Sequence, residues 1–292
     1  MLRADAFATL YLVRPLRGLA PATGRIPILM YHSVSDSFEG NLHPYYQTVT
    51  TPDAFARQMQ FLHANGYSTV SVSEAARGTA PAGRPRKRPV AITFDDGYRD
   101  FYRHAFPILS RHGFSASVYL PTAHIGDAAR EFKGHECLTW SEVRELHQAG
   151  VEFGSHTVTH PQLACLETEA VRYEIDSSKK NIEDRLGHPV NSFSYPYAFP
   201  EANRAFTARL RGLLEQAGYE NGVSTIIGTA DCTGEKLFMK RLPVNTADDE
   251  PLLSAKLQGA YDWMHAVQYA SKLLTTGMER APWRKPRTAS AA

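Results

Sequence analysis

Short apolar runs alternate with stretches whose apolar residues recur every three or four positions, along nearly the whole 292-residue chain. The runs, rich in Val, Ile, Leu and aromatic residues, predict strands at residues 25–34, 67–72, 90–94, 114–120, 151–155, 190–195, 222–227 and 237–244. The stretches between them predict helices. One opens at Thr51-Pro52, shows Phe55, Met59 and Leu62 on its apolar face and stops at Gly66. Others cover 100–112, closed by Gly113, and 139–150, opened by the capping box Thr139-Trp140-Ser141-Glu142. A longer one, 171–186, carries Val171, Ile175, Ile182 and Leu186 as a core-facing stripe. Two more are expected at 201–217 and 252–274. Repeated strand-then-helix units make a mostly parallel sheet, and the length suits a barrel. Residues 35–50 and 78–89 read as loops, the second basic and exposed, and 280–292 as a disordered basic end. The division that follows is an N-terminal segment 1–24, one domain over 25–275 and a tail 276–292.

Composition narrows the classes. With 43% hydrophobic and 21% charged residues the chain is globular, and 32 basic against 30 acidic side chains give no surface dedicated to nucleic acid. Cys137, Cys165 and Cys232 are too scattered for a disulfide framework or a cysteine zinc site, and their odd number points to reduced thiols. No segment reaches the roughly 20 apolar residues that span a bilayer. The first twenty residues make a poor secretory signal: the apolar piece from Phe7 to Val13 is short, and arginines stand on both sides. They suit an amphipathic helix in peripheral contact with a membrane. Together these features favour the cytoplasm or the inner membrane face over secretion.

The chemistry concentrates at strand ends. Val90-Ala91-Ile92-Thr93-Phe94 runs straight into Asp95-Asp96-Gly97-Tyr98. Charge at the rim of a core needs a cation, a proton or hydrogen bonds to receive it. Strand alternation sends the two carboxylates to opposite faces, while Gly97 permits a turn that brings them together. A plain reading, acids that merely start a turn, fits this stretch equally well. The second strand-like segment, Val151-Glu152-Phe153-Gly154-Ser155, leads into His156-Thr157-Val158-Thr159-His160. An i, i+4 spacing on a helical turn sets both imidazoles on one face, which suits two ligands of one ion, though isolated pairs of this kind also occur on surfaces. One carboxylate and two histidines leave a coordination position open for water. His32, Asp95, Asp96, His156 and Tyr197 all fall at or just beyond strand C-termini, where barrel enzymes place their sites.

Thr93-Phe94-Asp95-Asp96-Gly97-Tyr98, Ser155-His156-Thr157-Val158-Thr159-His160 and Tyr195-Pro196-Tyr197 together resemble the NodB-like polysaccharide deacetylases of carbohydrate esterase family 4, over roughly residues 25–244. The resemblance implies a distorted (β/α)7 barrel, a divalent metal, usually Zn2+, and removal of N-acetyl groups from an N-acetylated glycan. Carried over by position, it makes Asp95 the catalytic base and Asp96, His156 and His160 the metal ligands. It makes Tyr197 the residue whose backbone N–H helps hold the oxyanion. Two departures stand out. Ser194 occupies the place of an arginine that orients the base in that family, and Arg241, on the last expected strand, is the candidate replacement. No late Leu-x-His supplies the general acid. In a permuted branch, the exopolysaccharide deacetylases acting on poly-N-acetylglucosamine, the acid comes from an early strand, and Leu29-Met30-Tyr31-His32 looks like that element.

Sugar rings stack on aromatic faces, so at most two of Tyr98, Trp140, Tyr195 and Phe199 are expected as subsite walls, each fitting barrel packing equally well, with Arg241 grouped beside them as a substrate-pocket residue. Three rival readings accompany the main one: a lipid-linked amino sugar as substrate, a non-catalytic polysaccharide binder, and a magnesium site at Asp95-Asp96. The last leaves the histidines unexplained, because magnesium prefers oxygen ligands.

Overall fold

The computed structural model describes residues 3–17, 24–37, 42, 44–78 and 88–276. Eight parallel strands form its main sheet: β1 (Ile28–Tyr31), β2 (Tyr67–Val70), β3 (Arg88–Phe94), β4 (Ser117–Leu120), β5 (Glu152–Ser155), β6 (Ser192–Ser194), β7 (Asn221–Ile227) and β8 (Met239–Pro243). Seven of them close a barrel in the order β1-β8-β7-β6-β5-β4-β3, because β1 pairs with β8 on one side and β3 on the other. The eighth, β2, pairs only with the first half of β3 (Val70 opposite Ala91), whose end pairs with β4 instead (Phe94 opposite Val118). This divided edge distorts the ring. The expected parallel barrel with a (β/α)7 count is therefore present.

Local chemistry accounts for most element ends. Thr51 caps α1 (Pro52–Ala64) by accepting from Ala54 N–H. The Thr139–Glu142 capping box opens α4 (Trp140–Gln148) as expected. Between these lie α2 (Val72–Arg77) and α3 (Phe106–Arg111), the latter preceded by a π-type turn, Phe101–Ala105. The short α2 is new: a Ser71–Glu74 capping box ends the strand expected to reach residue 72. After α5 (Thr168–Leu186) and α6 (Arg204–Gln216), the helix expected over 252–274 is two, α7 (Glu250–Leu257) and α8 (Met264–Thr276). Gly259 at φ +78° breaks them, a conformation outside the helical well. The strand expected over 25–34 is likewise split. Arg25–Ile26 pairs antiparallel with Ala230–Asp231, Ser33–Val34 pairs with Val49–Thr50, and Pro27 and His32 lie at the breaks.

An N-terminal helix, Ala4–Phe7 continuing through a π-type stretch Ala8–Val13 into Arg14–Arg17, packs on the turn between α7 and α8. Tyr261 donates to Asp5 at 2.7 Å, and Trp263 Nε1 donates to Thr9 Oγ1 at 3.0 Å. Parts of four expected segments lie outside the described residues: 1–2 and 18–23 of the N-terminal segment, 38–41 and 43 of the 35–50 loop, 79–87 of the basic loop, and 277–292 of the tail. No described helix is long and apolar enough to cross a membrane.

Candidate active site

At the end of β3 the backbone turns at once, with Asp96 at φ +69° and Gly97 at φ +61°. The glycine is required there: a Cβ would lie 3.0 Å from Leu120 Cδ2 and 3.1 Å from Ile125 Cδ1, on a backbone that L residues avoid. This turn cancels the strand alternation that would separate the carboxylates. Both are buried in one region, Asp95 toward the barrel interior and Asp96 toward two imidazoles.

The histidines reach that place differently from the sequence expectation. Residues 156–160 are a loop, not a helical turn, with Thr157 at φ +69° and His160 at φ +58°. Thr157 Oγ1 accepts from His160 N–H at 2.9 Å. Glu174 of α5 accepts from the N–H groups of Val158 and Thr159 at 2.7 and 2.9 Å and from the Thr159 hydroxyl at 2.7 Å. So clamped, the two rings lie 4.7 Å apart, centroid to centroid.

His156 Nδ1 donates to the Ser194 carbonyl at 2.7 Å, which leaves its Nε2 lone pair facing Asp96 Oδ1 at 3.6 Å. His160 Nε2 lies 3.2 Å from the same oxygen. Asp96 Oδ1 and His160 Nδ1 are nonetheless buried without a hydrogen-bond partner. Ligand atoms of Asp96, His156 and His160 all lie within 4.8 Å of one another. Three buried side chains converging ligand atoms on one point fit a cation, and two imidazole nitrogens with one carboxylate oxygen are a zinc-type donor set with room for water. The other Asp96 oxygen accepts from Tyr98 at 2.9 Å and from Lys133 Nζ at 3.2 Å. Burial pushes the Asp96 carboxyl up, but His160 and the neighbouring charges pull it well below the usual range. Burial lowers His156 to about 4, so its ring is neutral, the form that ligates.

Asp95 is held by Arg241, which is 0% exposed. The guanidinium donates Nη1 to Oδ1 at 2.8 Å and Nη2 to Oδ2 at 2.7 Å, a bidentate pair. Its remaining donors reach the Ser224 carbonyl, Thr93 Oγ1 and Ser194 Oγ at 2.9, 3.2 and 3.2 Å. Ser194 also donates to Asp95 at 3.1 Å. Burial alone would raise the Asp95 carboxyl, and the Arg241 charge overrides it, leaving the group below the ordinary carboxylate range.

A cavity of about 320 Å³ opens over these groups, with His32, Tyr98, Lys133 and Tyr197 among its walls. His32 Nε2 lies 3.9 Å from Asp95 Oδ2. Tyr197 stands at φ +60° with its carbonyl held by Thr225 Oγ1 at 3.0 Å. Seven of the sequence-derived residues thus meet around one space: His32, Asp95, Asp96, Tyr98, His156, His160 and Tyr197. Trp140, Tyr195 and Arg241 do not line it, and their expected place against the sugar is corrected. Trp140 is buried in the first turn of α4 beneath Arg185, Tyr195 packs edge-on against Phe199 and Phe206, and Arg241 is spent on Asp95. Phe199 is likewise buried away from this cavity.

Lys133 was not anticipated. It sits at the tip of a hairpin, Glu131–Phe132 paired with His135–Glu136, where Lys133 and Gly134 take φ +51° and +80°. Two successive left-handed residues between paired strands are a tight turn, and the Lys-Gly pair is its one sequence trace.

Comparison with known proteins agrees with this arrangement. A family model described as polysaccharide deacetylase matches residues 82–222. The Bacillus subtilis (strain 168) protein named "Putative polysaccharide deacetylase YxkH" is 31% identical over 238 residues, covering 81% of this chain and 76% of that protein. The poly-beta-1,6-N-acetyl-D-glucosamine N-deacetylase of Escherichia coli (strain K12) is 36% identical over 150 residues, which are 47% of this chain and only 21% of that longer protein. Among solved structures, the Streptococcus pyogenes deacetylase PplD in complex with acetate superposes with a TM-score of 0.67 at 26% identity, covering 82% of this chain and 99% of its own.

Proposed function

We propose, for a chain that belongs to the polysaccharide deacetylase family, that it is a metal-dependent hydrolase removing N-acetyl groups from the amino sugars of a bacterial exopolysaccharide. The observation that carries this reading is the convergence of Asp96, His156 and His160 beside an ionised Asp95 in one buried pocket. Asp96 Oδ1 and one nitrogen of each imidazole would hold the ion, zinc by the softness of that set. Bound there, a divalent cation supplies Lewis acidity that polarises an amide carbonyl and lowers the pKa of water toward about 7.

The chain's own groups do the rest. Asp95, locked ionised by Arg241, accepts the proton of the attacking water. Its low basicity is tolerable because that water is itself acidified. The Tyr197 backbone N–H would donate to the developing oxyanion, a contact of the kind worth roughly 3 kcal/mol. His32, beside Asp95, gives a proton to the departing sugar nitrogen, which is too basic to leave as an anion, and acetate is the second product.

The N-deacetylase of Escherichia coli matched over residues of this domain makes a β-1,6-linked N-acetylglucosamine polymer the first substrate to test. The experiment is acetate release across a panel of N-acetylated glycans, before and after chelation and again after zinc is restored. Release that chelation abolishes and zinc restores is expected. Turnover indifferent to chelator, or no release from any glycan by zinc-loaded protein, would sink the proposal.

A further inference from the structure

The N-terminal helix is amphipathic in the wrong sense for a helix packed on a soluble domain. Its inner side carries Asp5 and Thr9, 8% and 0% exposed, while Phe7, Tyr11, Leu12 and Leu16 are 56, 66, 57 and 87% exposed. The Ala8–Val13 stretch winds as a π-type turn, and all four of these side chains come to the outward side of the helix. The helix is firmly held. Arg3 reaches Asp248 at 3.4 Å, Asp5 accepts from Tyr261, and Trp263 donates to Thr9. A groove of about 610 Å³ separates it from α8, with Ala4, Met264 and Val267 among its walls, and α8 adds Val267 and Tyr269 to the exposed apolar surface at 48 and 38%. A rigidly presented apolar stripe of this size marks a surface that something covers.

Charge indicates the occupant. In the sequence Arg14 and Arg17 flank Leu16, Arg14 reaching Ser254 Oγ at 3.5 Å, and beyond Thr276, where α8 ends, residues 277–292 carry Arg280, Arg284, Lys285 and Arg287 against the single acid Glu279. We propose that the outer face of the N-terminal helix docks on an anionic lipid bilayer, its apolar stripe entering the headgroup boundary and its arginines meeting the lipid phosphates. A second copy of this chain on the same face would bring two segments of like, basic sequence together. Ala198 lines the groove and its neighbour Tyr197 lines the catalytic cavity, so docking here brings that cavity beside the lipid surface.

The test is co-sedimentation of the full chain with vesicles of phosphatidylcholine alone or mixed with phosphatidylglycerol, comparing wild type with a Leu12→Glu, Leu16→Glu double variant. Both positions are exposed, so the variant should keep its melting temperature and its acetate release from a soluble glycan. Wild type should pellet with the anionic vesicles, and the double variant should partition on the order of a hundredfold less. Wild type remaining in the supernatant, the variant pelleting like wild type, or equal binding to neutral vesicles would overturn the proposal. So would a dimer in sedimentation equilibrium that the double variant dissolves.

Discussion

Asp95 accepts two parallel hydrogen bonds from Arg241, whereas neighbouring Asp96 meets two imidazoles, a tyrosine hydroxyl and an ammonium group. Those surroundings assign different work to chemically identical side chains. Asp96 offers an oxygen with no hydrogen-bond partner; Asp95 has both oxygens engaged by donors from Arg241 and Ser194. Asp95→Asn should therefore lower turnover by about 10²- to 10⁴-fold while the protein still binds one equivalent of zinc. The amide keeps an acceptor for Arg241 but leaves the guanidinium charge buried and uncompensated, so a stability loss on the order of 3 kcal/mol should accompany it. Metal content and calorimetry on the same preparation check both outcomes. Loss of zinc from a folded variant would mean that the two aspartates have been assigned the wrong way round.

The loop at 156–160 shows how an element, rather than a residue, makes the donor set. Among the described residues, three of the five positive-φ residues other than glycine, Asp96, Thr157 and His160, lie in the two loops that carry the donor set, and a fourth is Tyr197. Such backbone persists only where the surroundings over-determine it. Here Glu174 does so with three hydrogen bonds to Val158 and Thr159. Glu174→Ala, a change that touches no donor atom, should weaken zinc binding by about 10- to 100-fold, read by competition with a chromogenic chelator. An unchanged affinity would show that the loop holds itself. A separate prediction concerns the N-terminal helix. Burial pushes Asp5 up, but Arg3 and Tyr261 hold it at about 2 against an ordinary 3.8. A depressed folded-state value stabilises the docked helix above the ordinary value and is lost as pH falls through the depressed one, a contribution of about 1–2 kcal/mol. Near-ultraviolet dichroism of Trp263 should thus change between about pH 4 and 2 in wild type, and Asp5→Asn should flatten that change. Identical titrations of the two proteins would remove Asp5 as its cause.

At the scale of the whole molecule, what was legible in the sequence was what local pattern encodes. Asp95-Asp96 and His156/His160 could be read because each follows an apolar strand directly, and a parallel barrel gathers all strand C-termini at one rim. The capping box at Thr139 was legible too, yet that same box places Trp140 in a first helical turn facing the core, against its expected contact with sugar. The loop conformation at His156–His160 was hidden, since neither Thr157 nor His160 is a glycine that would announce a left-handed backbone. Arg241 lies 146 positions from Asp95, and only the missing arginine at Ser194 hinted that a partner had to come from elsewhere. Ring closure supplies it: β1 sits between β3 and β8, so residues just after Tyr31, after Phe94 and within β8 converge. The same closure brings His32 within 3.9 Å of Asp95. If His32 protonates a departing amine, its importance must depend on the leaving group. His32→Ala should lower kcat on an N-acetylated glycan by about 10²-fold or more, with KM and zinc content held. On an aryl acetate, whose phenolate departs without a proton, the same variant should lose little. A loss of equal size on both substrates would mark His32 as a structural neighbour of Asp95, and unchanged turnover of the glycan would return the general acid to another residue.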